Sequence, residues 1–268
     1  MASDLLPVVT LFVAVFGLLI GSFLNVVIWR VPRGESIVSP PSACPRCGHR
    51  ISARDNIPVI SWLLLRRRCR GCHQPISSRY PLVELGTAAL FVVVTLHFGV
   101  SATTPAYLYL AAIAVALALI DLDVHRLPNT IVLPAYGVGA VLLAAASWAS
   151  GDWSALLRAA IGATVLFGLY MLMMVGSALL RGGTGMGFGD VKLAGVLGLY
   201  LGWLGWGPLV VGAFGAFLLG GIFSIALLAT GVANRKTGVP FGPWMLLGAA
   251  TGIGIGAPLW TAYLGLLV

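Results

Sequence analysis

Apolar residues in this chain gather into long, nearly unbroken blocks separated by short polar or glycine-rich turns. A helix needs about 20 apolar residues to cross a bilayer, and eight blocks approach that length. They run roughly over residues 7–29, 82–99, 105–121, 130–149, 155–180, 191–206, 208–231 and 243–267. The sixth is short and rich in glycine and tryptophan, which makes it the weakest of the eight. The first block reads as a retained span, not a cleaved signal. Asp4 is the only charge before Arg30, and no small-residue cleavage site follows the apolar run. The pattern predicts an all-α polytopic membrane protein with about eight transmembrane helices. Residues 1–29 form the first helix, 30–81 a polar loop, and 82–268 a multi-helix membrane core.

Composition agrees. Only 9% of the residues are charged, where a soluble domain carries about a quarter. The 35 glycines suit helices packed closely in lipid.

Charge sets an orientation. Ten of the 16 basic residues, all arginine, fall within 30–80. Such a cluster could meet nucleic acid, but beside a membrane span arginine density marks the cytoplasmic side. With that loop inside, the turns carrying Arg126, Arg181, and Arg235 with Lys236 also fall inside. The opposite turns hold only Asp152, and Arg158 is the one exception. The expected topology is a multi-pass membrane protein with its N-terminus outside, its large loop cytoplasmic, and lipids, not nucleic acid, around it.

All four cysteines lie in that loop, as Cys44-x-x-Cys47 and Cys69-x-x-Cys72. Two such pairs are chelating knuckles, and four thiolates complete a tetrahedral zinc site. Disulfides are the competing reading, but they are rare in a reducing cytoplasm. Cys44-Pro-Arg-Cys-Gly-His-Arg-Ile-Ser-Ala-Arg54 also aligns with Cys69-Arg-Gly-Cys-His-Gln-Pro-Ile-Ser-Ser-Arg79, displaced by 25 residues. Two similar half-sites around one structural Zn2+ are expected. His49 and His73 flank the knuckles as solvated or supporting side chains, with substitution as ligands left open.

Two aspartates stand at the edges of apolar blocks. Asp121 ends the run that begins at Tyr107, and Asp190 follows Gly187-Phe188-Gly189. Membrane carboxylates are costly and usually functional. A close pair shares one proton, giving a base and an acid together. The plainer alternative leaves both at the headgroup level.

These motifs together resemble those of bacterial prepilin peptidases, the type IV leader peptidases of the GxGD class of intramembrane aspartic proteases. Gly21-Ser-Phe-Leu-Asn-Val-Val-Ile-Trp-Arg-Val-Pro32 is similar to the family's first-span signature. The paired CxxC loop follows, with Asp55-Asn-Ile-Pro58 and Arg79-Tyr-Pro-Leu-Val-Glu84. Asp121 with Leu127-Pro-Asn129, then Gly187-Phe-Gly-Asp-Val-Lys192, match the two catalytic motifs, and Pro240-Phe-Gly-Pro243 also fits. The resemblance implies cytoplasmic-face cleavage of the basic leader of type IV prepilins or pseudopilins. It also implies N-methylation of the new terminus with S-adenosylmethionine, at residues the sequence does not assign.

Asp121 and Asp190 are accordingly the expected catalytic pair. Asp123, two residues on, points to another helix face and is expected to be accessory, although the reverse assignment stays open. Gly187 and Gly189 are expected to let backbone approach the substrate. Lys192 either tunes Asp190 or, as preferred, anchors the sixth span at the interface. Glu84 reads equally as a dipole-favoured acid near a helix start or as functional. Two rival functions are a proton-coupled transporter using Asp121 and Asp190 as a relay, and a non-catalytic assembly factor docking partners through its zinc loop.

Overall fold

Long apolar blocks in lipid must satisfy their backbone internally, so helices are the expected outcome, and helices dominate the computed structural model of the chain. It describes residues 2–181, 186–231 and 239–267. Arg235 and Lys236, counted in the charge argument, lie outside them, as does the side chain of Arg181. In chain order the helices are α1 (Ala2–Arg30), α2 (Ile60–Leu64), α3 (Arg79–Phe98), α4 (Thr104–Val124), α5 (Asn129–Ser150), α6 (Ser154–Arg181), α7 (Phe188–Leu204), α8 (Trp206–Ala229) and α9 (Gly242–Gly265). Among the described residues, β-pairing is limited to two isolated bridges. Seven helices among the described residues are long and apolar enough to cross a membrane, all but α2 and α7. The protein is a multi-pass, all-α membrane protein.

The chain divides into two compact units, Met1–Ala116 and Leu117–Val268. In the first, α1 packs on α3 through Gly17 and Gly21, one turn apart. A Cβ on Gly17 would lie 2.7 Å from Ala88 Cα, and one on Gly21 would lie 2.6 Å from Glu84 Cα. Small residues at this spacing let two backbones meet, the usual device where lipid removes the hydrophobic drive between helices. Val13, Phe91 and Ala111 form the core beside this seam.

The second unit is organised around α7. At 17 residues it is about 25 Å long, which explains its weakness as a span. Yet it is the most enclosed helix of the unit, with Val191, Leu193, Val196 and Tyr200 fully buried. Helices α5, α6, α8 and α9 pack around it. A helix apolar on every side belongs in an interior. Gly198 and Gly202 bring its backbone against Gly162 and Arg158 of α6, where a Cβ on Gly202 would meet Arg158 O at 2.5 Å. The glycines that weaken α7 as a span are what allow it to sit at the centre.

Candidate functional site

The cysteine module belongs to the first unit. Each knuckle is closed by the same pair of main-chain bonds. Cys44 N donates to His49 O and Gly48 N to Cys44 O; 25 residues on, Cys69 N donates to Gln74 O and His73 N to Cys69 O. The isolated bridges Ala43–Arg50 and Arg68–Pro75 repeat at the same displacement. So does the left-handed turn, at Gly48 (φ 69°) and His73 (φ 55°). The sequence repeat is therefore a structural repeat. His73 holds a conformation that glycine supplies in the first copy, and His49 packs its ring against Gly71.

All four Sγ atoms lie within 4.8 Å of one another. Two of the separations, Cys44–Cys72 and Cys47–Cys69, are 3.9 and 4.0 Å. A tetrahedron with metal–sulfur bonds of about 2.3 Å has edges of about 3.8 Å, so the cluster fits one tetrahedral metal ion. The cysteines are free thiols. The amides of Arg46 and Cys47 draw the Cys44 thiol down to about 7. The amides of Cys72 and Gly71 likewise lower Cys69. Cys47, hemmed in by the other sulfurs, is instead pushed up to about 11, so two thiols of the cluster are primed as thiolates and metal binding would have to displace a proton from Cys47. Asp55 braces the second knuckle by a bidentate pairing with Arg70, at 2.7 and 2.8 Å. That pairing holds the Asp55 carboxyl below its ordinary range.

The aspartates belong to the second unit. Asp121 sits in the last turn of α4 and is only 5% exposed, whereas Asp123 is exposed. The helix stops at once, because His125 takes a left-handed φ of 52° while its N–H still reaches Asp121 O. Pro128 then opens α5. Asp121 Oδ2 accepts the main-chain N–H of Gly242 at 3.0 Å. Gly242 starts α9 within Pro240-Phe-Gly-Pro243.

Asp190 occupies the third position of α7, where a carboxylate is favoured by the helix dipole. Its Oδ2 accepts Gly187 N–H at 3.2 Å, while Asp190 N donates back to Gly187 O at 3.1 Å. The charge of Asp121 reaches Asp190, and that of Asp190 reaches the buried Tyr170. Two motifs 69 residues apart in sequence thus converge on one place in the unit.

Leu127 supports both sides. A Cβ on Gly189 would lie 3.0 Å from Leu127 Cβ, and one on Gly242 would lie 3.3 Å from Leu127 Cδ2. Gly189, expected to let backbone approach the substrate, also makes room for Leu127 within the unit. Lys192, read from sequence chiefly as an interface anchor, hydrogen-bonds Asn129 Oδ1 and lies 4.6 Å over the Phe188 ring. Its carbonyl accepts Tyr136 Oη–H at 2.7 Å. These contacts tie the Leu127-Pro-Asn129 turn to the Gly-x-Gly-Asp motif. Sequence reasoning missed the direct role of Gly242 and the brace from Tyr136, although Pro240-Phe-Gly-Pro243 was a visible signal for the first.

Glu84 also departs from expectation. It lies in the second turn of α3, buried, and its Oε2 accepts Val59 N–H at 2.7 Å, a tertiary contact across 25 residues and not a dipole effect.

Two family models match the chain. The bacterial peptidase A24 N-terminal domain covers residues 15–98, and the type IV leader peptidase family covers residues 108–225. The first range contains the four cysteines and the second both aspartates. Among the relatives, proteins named prepilin leader peptidase/N-methyltransferase stand out. The one from Aeromonas hydrophila is 40% identical over 260 residues, covering 88% of this chain and 87% of its own. The one from Pseudomonas aeruginosa is 37% identical over 254 residues, covering 86% and 85%. The one from Myxococcus xanthus is 41% identical over 232 residues, covering 86% and 67%. No solved structure matches the chain significantly. With two family models in sequence order and relatives matched over most of their length, the chain belongs to the type IV leader peptidase family.

Proposed function

We propose that this protein is an aspartic endopeptidase that removes the basic leader of type IV prepilins or pseudopilins at the cytoplasmic membrane face, and then methylates the new N-terminus. The observation that carries the peptidase reading is the convergence of Asp121 and Asp190, one fixed by Gly242 N–H and the other by Gly187 N–H. The names of the relatives support the substrate and the second activity.

The pair holds one proton between them. The ionised carboxylate takes a proton from water, and the resulting hydroxide forms a bond to the scissile carbonyl carbon. The protonated partner gives its proton to the carbonyl oxygen. On collapse a hydroxyl of the intermediate returns its proton to the second carboxylate, the carbon–nitrogen bond breaks, and the departing amine takes up the proton first removed from water. The N–H donors at Gly242 and Gly187 keep both carboxylates in register, which is where positioned groups gain most of their effect. Lys192 and Asn129 hold the two motif-bearing segments together. Asp123 is accessory.

For the second activity, S-adenosylmethionine, when bound, would supply the methyl group that the freed amine acquires. Cys44, Cys47, Cys69 and Cys72 would hold one structural Zn2+, whose binding would supply folding energy to the loop that carries them. The arginine-rich loop and both aspartates face the cytoplasm, with the N-terminus outside. The test is purified protein and a prepilin in detergent, with mass spectrometry of the products. A released leader and a mature chain heavier by one methyl group are expected. An unprocessed prepilin refutes the peptidase reading, and an unmethylated mature chain refutes only the second step.

A further inference from the structure

Helices α5 and α7 meet through two reciprocal pegs. Tyr136 of α5 lodges over Gly195 of α7, where an added Cβ would stand 2.0 Å from the Tyr136 hydroxyl oxygen. Tyr200 of α7 lodges over Gly139 of α5, where an added Cβ would stand 2.9 Å from the Tyr200 hydroxyl oxygen. Phenylalanine over alanine would fill such a seam without burying a polar atom, and glycine inside a helix costs stability relative to alanine. Packing alone does not call for a tyrosine here.

What the Tyr136 hydroxyl reaches gives it a use. It donates to Lys192 O at 2.7 Å, and Val196 N–H lies within reach of the same oxygen. These are the carbonyl and amide that an α-helix pairs with each other, four residues apart. The hydroxyl thus stands on a rung of α7's own ladder, and a side chain entering that ladder changes a helix's local direction. The rung begins two residues after Asp190. The Lys192 ammonium is meanwhile held by Asn129 Oδ1, at the start of α5. Helix α5 therefore grips the segment behind Asp190 twice, by side chain and by main chain.

We propose that Tyr136 is a positioning residue for the peptidase reaction: through the Lys192 carbonyl it sets the direction in which the first turn of α7 presents the Asp190 carboxylate. The inference rests on Asp190 being one of the catalytic pair. The Gly187 N–H that holds Asp190 Oδ2 lies just before the same turn, so it moves with the turn and does not aim it. Leu127 touches the turn from outside, at Gly189, but apolar contact has no preferred direction. A hydrogen bond to a carbonyl does. A displacement of about 1 Å at a catalytic group costs about 100-fold in rate, so a shift well below that matters.

The experiment is steady-state leader release by the full-length protein in detergent, with kcat and KM resolved and thermal melting of every variant. Tyr136→Phe keeps the ring and removes the hydroxyl. Lys192 O and Val196 N–H are left facing each other, so neither loses a partner, and the protein should melt no lower than the parent. Its kcat should nevertheless fall about tenfold, with KM within about twofold of the parent. Gly195→Ala expels the hydroxyl by another route and should lower kcat to a similar degree. In Tyr136→Phe/Gly195→Ala the added methyl meets ring carbon, 3.0 Å from Cζ before relaxation. The double variant should again lose about tenfold, not the roughly hundredfold of two independent changes. Tyr200→Phe makes the same deletion in the other peg, ten residues beyond Asp190, and should keep the parent's kcat. The role given to Tyr136 is overturned by a Tyr136→Phe protein with the parent's kcat, or by a loss that only tracks a lower melting temperature. A roughly hundredfold loss in the double variant, or an equal loss in Tyr200→Phe, overturns it too. Asp190→Asn is the separate arm, since leader release by that variant would overturn the aspartic reading itself.

Discussion

Gly242→Ala is a small change aimed at one oxygen of the site. Gly242 N–H holds Asp121 Oδ2 at 3.0 Å, and a Cβ built at this position would stand 2.7 Å from that same oxygen. An ordinary carbon–oxygen contact is about 3.3 Å. The carboxylate must therefore retreat by roughly half an ångström or rotate, stretching its hydrogen bond toward the limit of one. A hydrogen bond to a charged group contributes about 1.5–3 kcal/mol, and losing it in the transition state lowers kcat by about 10- to 100-fold. The fold should tolerate the change, because the displaced atom ends a flexible side chain and alanine favours helix over glycine by about 1 kcal/mol. Gly254→Ala in the same helix is the control, since nothing lies within 4 Å of the added methyl. The assay is steady-state leader release with thermal melting of both variants. Gly242→Ala should lose kcat with little change in melting temperature, and Gly254→Ala should match the parent. A Gly242→Ala protein with the parent's kcat would refute the role given to this contact.

Three further expectations concern the rest of the molecule. Purified protein should carry about one zinc ion per chain, lost in the Cys44→Ser/Cys47→Ser variant. Because the ligands must be thiolates, metal should be released as the pH falls and they take up protons; a metal-free, fully oxidised loop in reducing buffer would contradict this. Gly198→Ala forces a methyl against the Gly162 carbonyl and Ala163 Cα, so it should destabilise by about 1–3 kcal/mol through overpacking and lower activity with it, and an unchanged melting temperature would argue against the α6–α7 seam. In the substrate, replacing the glycine before the cut with a bulky residue should block processing, whereas efficient cleavage within a spanning helix or on the outer side would overturn the proposed geometry.

Hydropathy located the long helices, because the cost of exposing backbone in lipid makes each span a local property of its own sequence. It served α7 worst, since the glycines that bring Gly198 against Gly162 also dilute the apolar signal. The paired cysteines were legible for the opposite reason. Their spacing, and even the left-handed turn shared by Gly48 and His73, is written within a dozen residues of each knuckle. The hold of Gly242 on Asp121 was not legible, because it crosses 121 residues and depends on how α4 ends and α9 begins. The same holds for Glu84 with Val59, and for Lys192 with Asn129. In each, the residue type was visible in the sequence and its partner was supplied by packing.

The central claim is that Asp121 and Asp190 together activate water. It is tested most directly by leader release from a purified prepilin with Asp121→Asn, Asp190→Asn and Asp123→Asn, all confirmed to insert in the membrane and melt like the parent. An amide cannot take or give the shared proton, so the first two should release no leader above background while Asp123→Asn keeps substantial activity. Full cleavage by either Asp121→Asn or Asp190→Asn would contradict the aspartic mechanism.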